Sequence, residues 1–192
     1  RVEEMIDVTY IDHMGSDLSV VNAARVSFGK KSEYIYSRVD TNGPLEKALH
    51  QRDVKLIRYL AQHKHISPFG HAFASFHVKA PVFVARQLVK HKFLRWNEIS
   101  RRYVDEEPAF YSPDEWRGRS SDKKQGSDGV VETNTTPKYV YDTARLVYKN
   151  LLVEGVAPEQ ARMVLPQGMM TEWYWSGSLD AFADMCHLRC KP

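Results

Sequence analysis

The spacing of hydrophobic and polar residues divides the chain into several amphipathic helices and a few short strands. Apolar residues that recur every three to four positions predict helices at 17–28, 45–63, 81–91, 139–155, 158–164 and 178–189. Alternating residues predict strands at 8–11, 71–81 and 171–176. Pro81 suits the first turn of its helix, and Ser178 suits an N-cap. The polar stretches 29–43 and 112–136 are predicted to be loops, the first of them mobile.

Helices outnumber strands in this pattern. We therefore expect an α+β fold in which helices pack on a small mixed or antiparallel sheet. The length of 192 residues fits a single domain, 1–192, with a surface excursion at about 112–136. Because the first residue is Arg1 and not Met, we expect the native N-terminus to have been trimmed or to lie outside this sequence. Because Pro192 follows a helical run abruptly, we expect the C-terminus to be incomplete too.

The composition is that of a globular protein, with 43% hydrophobic and 27% charged residues. The longest apolar stretch, 80–85, is too short to cross a bilayer, and no signal-peptide pattern opens the sequence. The only two cysteines, Cys186 and Cys190, lie four apart on one predicted helix, which is a weak basis for a stabilising disulfide. These features predict a cytoplasmic protein, or one of the host cytoplasm if the source is viral.

Positive charge is concentrated in one segment. The formal net charge is +3, yet residues 86–103 carry six Lys or Arg residues against one Glu, so the rest of the chain is net negative. The core of this segment, residues 90–103, reads KHKFLRWNEISRRY. The predicted helix 81–91 brings Arg86, Gln87, Lys90 and His91 to its C-terminal end. Local charge of this kind favours an anion site over a generally basic surface.

Several common chemistries lack their sequence pattern. Four histidines cluster at positions 63, 65, 71 and 77, but no Cys or carboxylate accompanies them at ligand spacing, so no metal site is predicted. Ser100 lacks a nucleophile elbow and suits an anion ligand better. Neither the dinucleotide fingerprint nor the P-loop pattern occurs. Side chains must therefore hold any bound nucleotide.

Two isolated arginines leave alternatives open. Arg162 stands in the apolar turn ARMVLP, and Arg189 shares a helix face with Phe182 and Met185. Each could extend along apolar surface to reach water. Each could instead project into a pocket and grip a phosphate or a pyrimidine edge. With the basic segment, the second alternative predicts a site for a planar, phosphorylated ligand.

The basic segment resembles a family signature. KHKFLRWNEISRRY is similar to that of the flavin-dependent thymidylate synthases, which runs Arg-His-Arg, two residues, Ser, one residue, Asn-Glu, one residue, Ser, one residue, Arg. Other parts of the chain resemble the same family: MGSDLSVVNAARVSF, HISPFGHAFASFHVKAPVFVARQ, ARMVLPQGMMTEWYW and the final LR. The resemblance covers nearly the whole chain except 112–136.

The resemblance implies an activity as well as a fold. The family has an α+β fold and converts dUMP to dTMP, taking the carbon from methylenetetrahydrofolate and the reducing equivalents from NADPH through FAD. It forms a homotetramer with active sites shared between subunits. In this chain no enzyme nucleophile is implied, and a flavin hydride is expected to activate carbon 6 of uracil.

The resemblance also assigns residues. Arg189 is implied to be catalytic, polarising the uracil ring. The implied dUMP contacts are Gln87, Lys90, Glu98, Ser100, Arg101 (through its backbone), Arg102, Arg162 and Arg189. The implied FAD contacts are Ser67, Lys90, His91, Lys92, Glu98, Ser178, Asp180 and Asp184.

Four residues depart from the family pattern. Lys90 and Lys92 replace arginines, which keeps the charge and removes the bidentate fork. Arg95 stands in place of Ser, where it would offer a further phosphate contact. Asp180 is acidic where relatives place a basic residue near the cofactor. The lysines leave open a flavoprotein of this fold that lacks synthase activity.

A nucleic-acid-binding module is the other alternative. Phe93, Trp96 and Tyr103 within the basic run could stack on the bases of a single strand. The embedded Asn97-Glu98 pair and the isolated arginines argue against it. Neither a nucleic acid nor a membrane is expected as a partner.

Overall fold

The computed structural model describes residues 5–38, 44–103, 106–121 and 126–190. The helices are α1 (Asp17–Arg25), α2 (Gln51–Gln62), α3 (Val82–Leu88), α4 (Lys138–Val153), α5 (Pro158–Ala161) and α6 (Leu179–Arg189). The strands are β1 (Asp7–Met14), β2 (Ile35–Arg38), β3 (Leu45–Ala48), β4 (Phe73–Pro81), β5 (Arg95–Glu98), β6 (Arg117–Arg119), β7 (Ser127–Val130) and β8 (Met170–Ser178). None of the helices in these ranges has the length and apolar character that a bilayer crossing requires.

The sheets confirm the α+β prediction. Four strands form the main sheet in the order β1-β4-β8-β5, while β2 with β3 and β6 with β7 form two-stranded sheets. Both small sheets are antiparallel. The three predicted strands correspond to β1, β4 and β8, each with shifted ends.

The residues group into two compact units, each with a core of its own. The first unit contains 1–8, 78–88 and 98–173, and the second contains 9–77, 89–97 and 174–192. In the first, Trp173 and Tyr148 are almost fully buried. In the second, Val20 and Val21 of α1 are buried, and Phe182 of α6 packs edge-on against Phe76 and Trp175. Burial of such large apolar side chains is the main stabilising contribution in each unit.

The prediction of one helix over 45–63 is wrong at its start. Leu45–Ala48 is strand β3, which pairs with β2 in the register Ile35↔Ala48 and Arg38↔Leu45, and α2 begins only at Gln51. The predicted loop 29–43 is also wrong in part, because 35–38 is a strand; residues 39–43 lie outside the described residues. Pairing between distant segments has overridden the helical spacing of the leucines.

The helix predicted at 81–91 ends earlier than expected. α3 stops at Leu88, so Lys90 and His91 lie in the turn that follows and not on the helix. Phe93 in this turn has a positive φ of 66°, a conformation uncommon for a residue with a side chain. Buried Gly177 allows the close approach here, because a Cβ at that position would lie 2.5 Å from Leu94 Cδ2 and 3.2 Å from the Phe93 carbonyl oxygen.

The excursion predicted at 112–136 is not wholly irregular. Its described part contains the hairpin strands β6 and β7, with a register shift between Arg117 and Gly118. Residues 122–125 of the excursion lie outside the described residues.

A buried polar cluster anchors the segment that follows α1. Asp53 at the start of α2 is fully buried, and its Oδ1 accepts hydrogen bonds from Arg25 Nη2 at 2.5 Å and Ser32 Oγ at 3.0 Å. Asn22 of α1 bonds both backbone groups of Ser32, at 2.7 Å and 3.1 Å. Burial would raise the pKa of Asp53, but the hydrogen bonds and charge of Arg25 outweigh it and lower the pKa below 3.8. The cluster thus fixes Ser32, within a stretch predicted to be a mobile loop.

Candidate functional site

A charged cleft of about 400 Å³ lies in the first unit. Its walls come from α3, the end of β5, the α5 region and the start of β8. The charged side chains that line it are Arg86, Glu98, Arg101, Glu159 and Arg162. Three cations against two carboxylates, over apolar residues such as Val82 and Met170, suit a ligand that has both an anionic and a planar part.

Glu98 is held in this cleft by a residue far along the sequence. The Thr171 hydroxyl on β8 donates a hydrogen bond of 2.6 Å to Glu98 Oε1. The backbone N–H of Ile99 donates to the carbonyl of Glu172 at 3.0 Å, which fixes the adjacent residue. Thr171 is buried and Glu98 is exposed, so the bond orients a carboxylate that a ligand can still reach.

The arginines of the cleft are available to an anion. Arg162 is exposed, and its Nε donates to the carbonyl of Glu159 at 3.3 Å. Among the described residues, neither Arg162 nor Arg86 forms an ion pair. In a second cleft of about 540 Å³, by contrast, Arg145 is already paired with Asp142 at 3.1 Å and with Glu107 at 3.5 Å. The cleft around Glu98 is therefore the better anion site.

The end of the basic segment forms a turn after β5. Arg101 Nη1 donates to the carbonyl of Glu106 at 2.5 Å. The backbone N–H of Arg102 donates to Ser100 Oγ at 3.3 Å, and the Arg102 guanidinium bonds the Tyr103 hydroxyl at 3.0 Å. Of these, only Arg101 lines the cleft. Tyr103 is 77% exposed, so it does not pack against the core.

Arg189 contacts a flavin candidate in the second unit. Its Nε donates to Nε2 of His91 at 2.9 Å. Because arginine can only donate, this nitrogen must be the acceptor, and His91 is neutral with its proton on Nδ1. Burial and the charge of Arg189 both lower the pKa of His91 below 6.5. The contact therefore persists into mildly acidic conditions.

The remaining flavin candidates of the second unit are spread over several elements. Ser67 begins a 3-10 helix, Ser67–His71, and Ser178 is the N-cap residue of α6, as predicted, without a side-chain capping bond. A Cβ at Gly70 would lie 3.8 Å from Asp180 Oδ1, so the two elements are close. This buried oxygen has no hydrogen-bond partner within the described part of the chain. Asp184, Lys90 and Lys92 are exposed.

The structure brings together only some of the predicted residues. Glu98, Arg101 and Arg162 share the cleft, and Arg189 meets His91. Gln87 and Ser100 stand next to cleft residues in sequence but do not line it. The sequence interpretation missed Glu159 and Thr171 and assigned Arg86 no contact. Of these three residues, only Arg86 could have been found from the sequence, since it begins the basic segment.

Across the described ranges, no group of three His, Cys, Asp or Glu side chains could hold a metal ion.

Sequence comparison places the chain among known proteins. A family model described as thymidylate synthase complementing protein matches residues 9–192. A flavin-dependent thymidylate synthase of Thermus thermophilus is 38% identical over 188 residues, which are 96% of this chain and 64% of that protein. The enzyme of the same name from Kosmotoga olearia is 37% identical over 199 residues, covering 98% and 78%.

Structure comparison agrees with the sequence comparison. The UMP/dUMP methylase PolB of Streptomyces cacaoi, in a crystal structure with 5-Br UMP, has a TM-score of 0.74 and 31% identity, covering 95% of this chain and 75% of that one. A structure of the same methylase with 5-Br dUMP has the same TM-score. The chain thus spans less than two thirds of the Thermus relative and about three quarters of the methylase.

Proposed function

We propose, on the premise that this chain belongs to the family of the flavin-dependent thymidylate synthases, that it reductively methylates dUMP to dTMP. Methylenetetrahydrofolate would donate the carbon, and NADPH would reduce the site through FAD. The observation that carries the proposal is the cleft that Arg86, Arg101 and Arg162 line together with the oriented carboxylate of Glu98. The similarity to a methylase crystallised with 5-Br dUMP supports the same substrate class.

The cleft suits the two ends of dUMP. The guanidinium group of Arg162 would bind the phosphate, where a planar fork matches its oxygens, and Arg101 would contact dUMP through its backbone. Glu98 would accept hydrogen bonds from the nucleotide, in the orientation that Thr171 imposes. The other proposed dUMP contacts are Gln87, Lys90, Ser100, Arg102 and Arg189.

Arg189 would perform the central electrostatic task. Methylation of carbon 5 requires negative charge to develop on the uracil ring, and a guanidinium at the N3/O2 edge stabilises that charge. The hydrogen bond to neutral His91 helps to fix the orientation of the Arg189 guanidinium. Arg189 is thus proposed as the catalytic residue.

The polar side chains of the second unit fit a flavin, and only Asp180 needs a different role from a phosphate contact. Bound FAD would supply the hydride that activates carbon 6 of uracil. The side chains of Lys90, His91, Lys92, Ser67 and Ser178 offer donors to its anionic and polar groups. The carboxylates of Asp184 and Glu98 would accept hydrogen bonds from its N–H or O–H groups. The buried, unpaired Asp180 Oδ1 would instead accept from a hydroxyl or amino group, since a carboxylate repels a phosphate.

We also propose a homotetramer with shared active sites. Supporting observations are the exposed apolar side chains on β1, including Val8, Tyr10 and Met14, and on α4, including Tyr139 and Leu146. Apolar surface of this kind typically marks an interface between subunits. Light scattering coupled to size exclusion would give the mass of the assembly.

Tritium release from dUMP labelled at carbon 5 tests the proposed function. The full assay contains FAD, NADPH and methylenetetrahydrofolate, and each is then omitted in turn. Release that needs all three would support the synthase. A yellow protein that oxidises NADPH without release would select the flavoprotein lacking synthase activity. Strand binding that weakens steeply with salt, without a chromophore, would select the nucleic-acid module.

Replacing Thr171 with valine is expected to weaken dUMP binding by about tenfold. Valine keeps the shape but removes the hydroxyl that orients Glu98, and one hydrogen bond to a charged group contributes about 1.5 kcal/mol. Titration calorimetry with dUMP would measure the change. Thr143→Val, at an exposed position on α4, is the matched control. Unchanged affinity in the Thr171 variant would show that Glu98 is not a dUMP contact.

A further inference from the structure

The C-terminal end of α6 carries two thiols, Cys186 in its last turn and Cys190 directly after it. Cys186 and Cys190 are both free and exposed, and the Cys190 N–H donates to the Cys186 carbonyl at 2.8 Å. Side chains four residues apart on a helix are neighbours. Burial raises the pKa of the Cys186 thiol, and the neighbouring Cys190 raises it further. They therefore form a dithiol and not two independent cysteines.

The geometry permits a disulfide only if this turn tightens. Residues i and i+4 of a regular helix have Cα atoms roughly 6 Å apart, which lies within the range that disulfides span. Their Cβ atoms are further apart than the roughly 4 Å that a disulfide requires. Cys190, with φ −97° and ψ 38°, has already left the helical conformation, so the backbone can adjust there. A disulfide that is exposed and strained is readily reduced.

The turn that must tighten also carries Arg189. The guanidinium of this residue reaches His91 through one hydrogen bond of 2.9 Å. A movement of the backbone at residues 186–190 shifts the origin of the arginine side chain and so changes the geometry of this contact. We propose that Cys186 and Cys190 are a reversible modification site, at which oxidation to a disulfide withdraws Arg189 from His91 and switches the site off.

The oxidation balances with a small disulfide such as oxidised glutathione. One cysteine thiolate attacks a glutathione sulfur, forms a mixed disulfide and releases one glutathione thiolate. The second cysteine attacks the mixed disulfide, closes the Cys186–Cys190 bond and releases the second glutathione. Partial burial, with the neighbouring Cys190, raises the pKa of Cys186. This favours Cys190 for the first attack.

The modification is tested without reference to activity. The full-length protein is equilibrated with glutathione buffers of increasing oxidised fraction, and its free thiols are alkylated and identified by mass spectrometry. We expect both thiols to disappear together, with a mass loss of two hydrogen atoms that dithiothreitol reverses. Cys190→Ser and Cys186→Ser each lack the second thiol and should stop at a glutathione adduct of the remaining cysteine. In the native protein, thiols that stay free, or that end as glutathione adducts or intermolecular bridges, would overturn the proposal.

The effect on Arg189 is tested through the ionisation of His91. Since Arg189 lowers the pKa of His91, its withdrawal should raise that pKa, and NMR of histidine-labelled protein can follow the change. Oxidation should raise it in the native protein but not in Cys190→Ser; an unchanged value in the disulfide form would refute the switch.

Oxidation of Cys186 and Cys190 should also lower dTMP formation by roughly 100-fold, an expectation that rests on the proposed function. If the reduced protein releases no tritium, the proposed function fails, while thiol counting and the His91 titration still decide the switch.

Discussion

Replacing Arg189 with alanine is expected to lower dTMP formation by about 100- to 1,000-fold while FAD still binds. The reason is that a donor aimed at charge developing in the transition state contributes on this scale. Tritium release would measure the rate, and the flavin absorbance would report the cofactor. Arg189→Lys is the matched control, because it retains the charge without the planar fork. Its rate of dTMP formation should lie between that of the native protein and that of Arg189→Ala. A fully active Arg189→Ala would refute the catalytic assignment.

The same variant has a defined effect on pH dependence. In the native protein His91 accepts a hydrogen bond from Arg189, which requires the neutral ring. As pH falls through the depressed pKa of His91, the imidazolium repels Arg189, and activity should decline. In Arg189→Ala the pKa of His91 should rise toward 6.5, because one of the two causes of its depression is gone. A pKa that does not move would show that the contact is absent in solution.

Replacing Asp53 with asparagine is expected to lower the free energy of unfolding by about 3–5 kcal/mol. The variant leaves Arg25, whose side chain is only 20% exposed, without its anion. Urea unfolding would measure the loss. Lys138→Ala, which removes an exposed partner of Asp142, is the control and should cost at most about 0.5 kcal/mol. Equal losses in the two variants would contradict the role of burial.

The acid dependence of this cluster follows from the lowered pKa of Asp53. A carboxylate with a folded pKa below its unfolded value stabilises the protein above the unfolded value, here 3.8. That stabilisation is lost as pH falls through the lower folded pKa. As pH is lowered from about 5 into the acid transition, the free energy of unfolding of Asp53→Asn should therefore fall less than that of the native protein, because carboxylates titrate in this range. An arginine-to-methionine change at Arg25 combined with Asp53→Leu should recover part of the loss.

The sequence predicted the elements whose signals are local. Ser178 is the N-cap residue of α6, and Arg189 is its last residue, as the capping and periodicity rules suggested. Strands β4 and β8 showed the alternation and aromatic content of half-buried strands. The resemblance of the basic segment led to a family that the comparisons confirm.

The rest depended on contacts and conformations that no local sequence pattern indicates. Leu45 follows the helical spacing of the leucines behind it, and only pairing with Arg38 makes it a strand residue. Thr171 orients Glu98 across 73 positions, and no pattern around either residue indicates the other. Phe93 adopts a left-handed conformation that sequence rules assign to glycine or asparagine.

The anchored segment after α1 bears on how the protein would survive a protease. Lys30 and Lys31 are exposed and would be prime trypsin sites by sequence, but the next residue, Ser32, is 2% exposed and held by Asn22 and Asp53. A protease must draw several consecutive residues into an extended strand, so cleavage here has to wait until the cluster opens. The rate of cutting at these lysines therefore measures how often the cluster opens, and it should rise in Asp53→Asn, which lacks the buried anion.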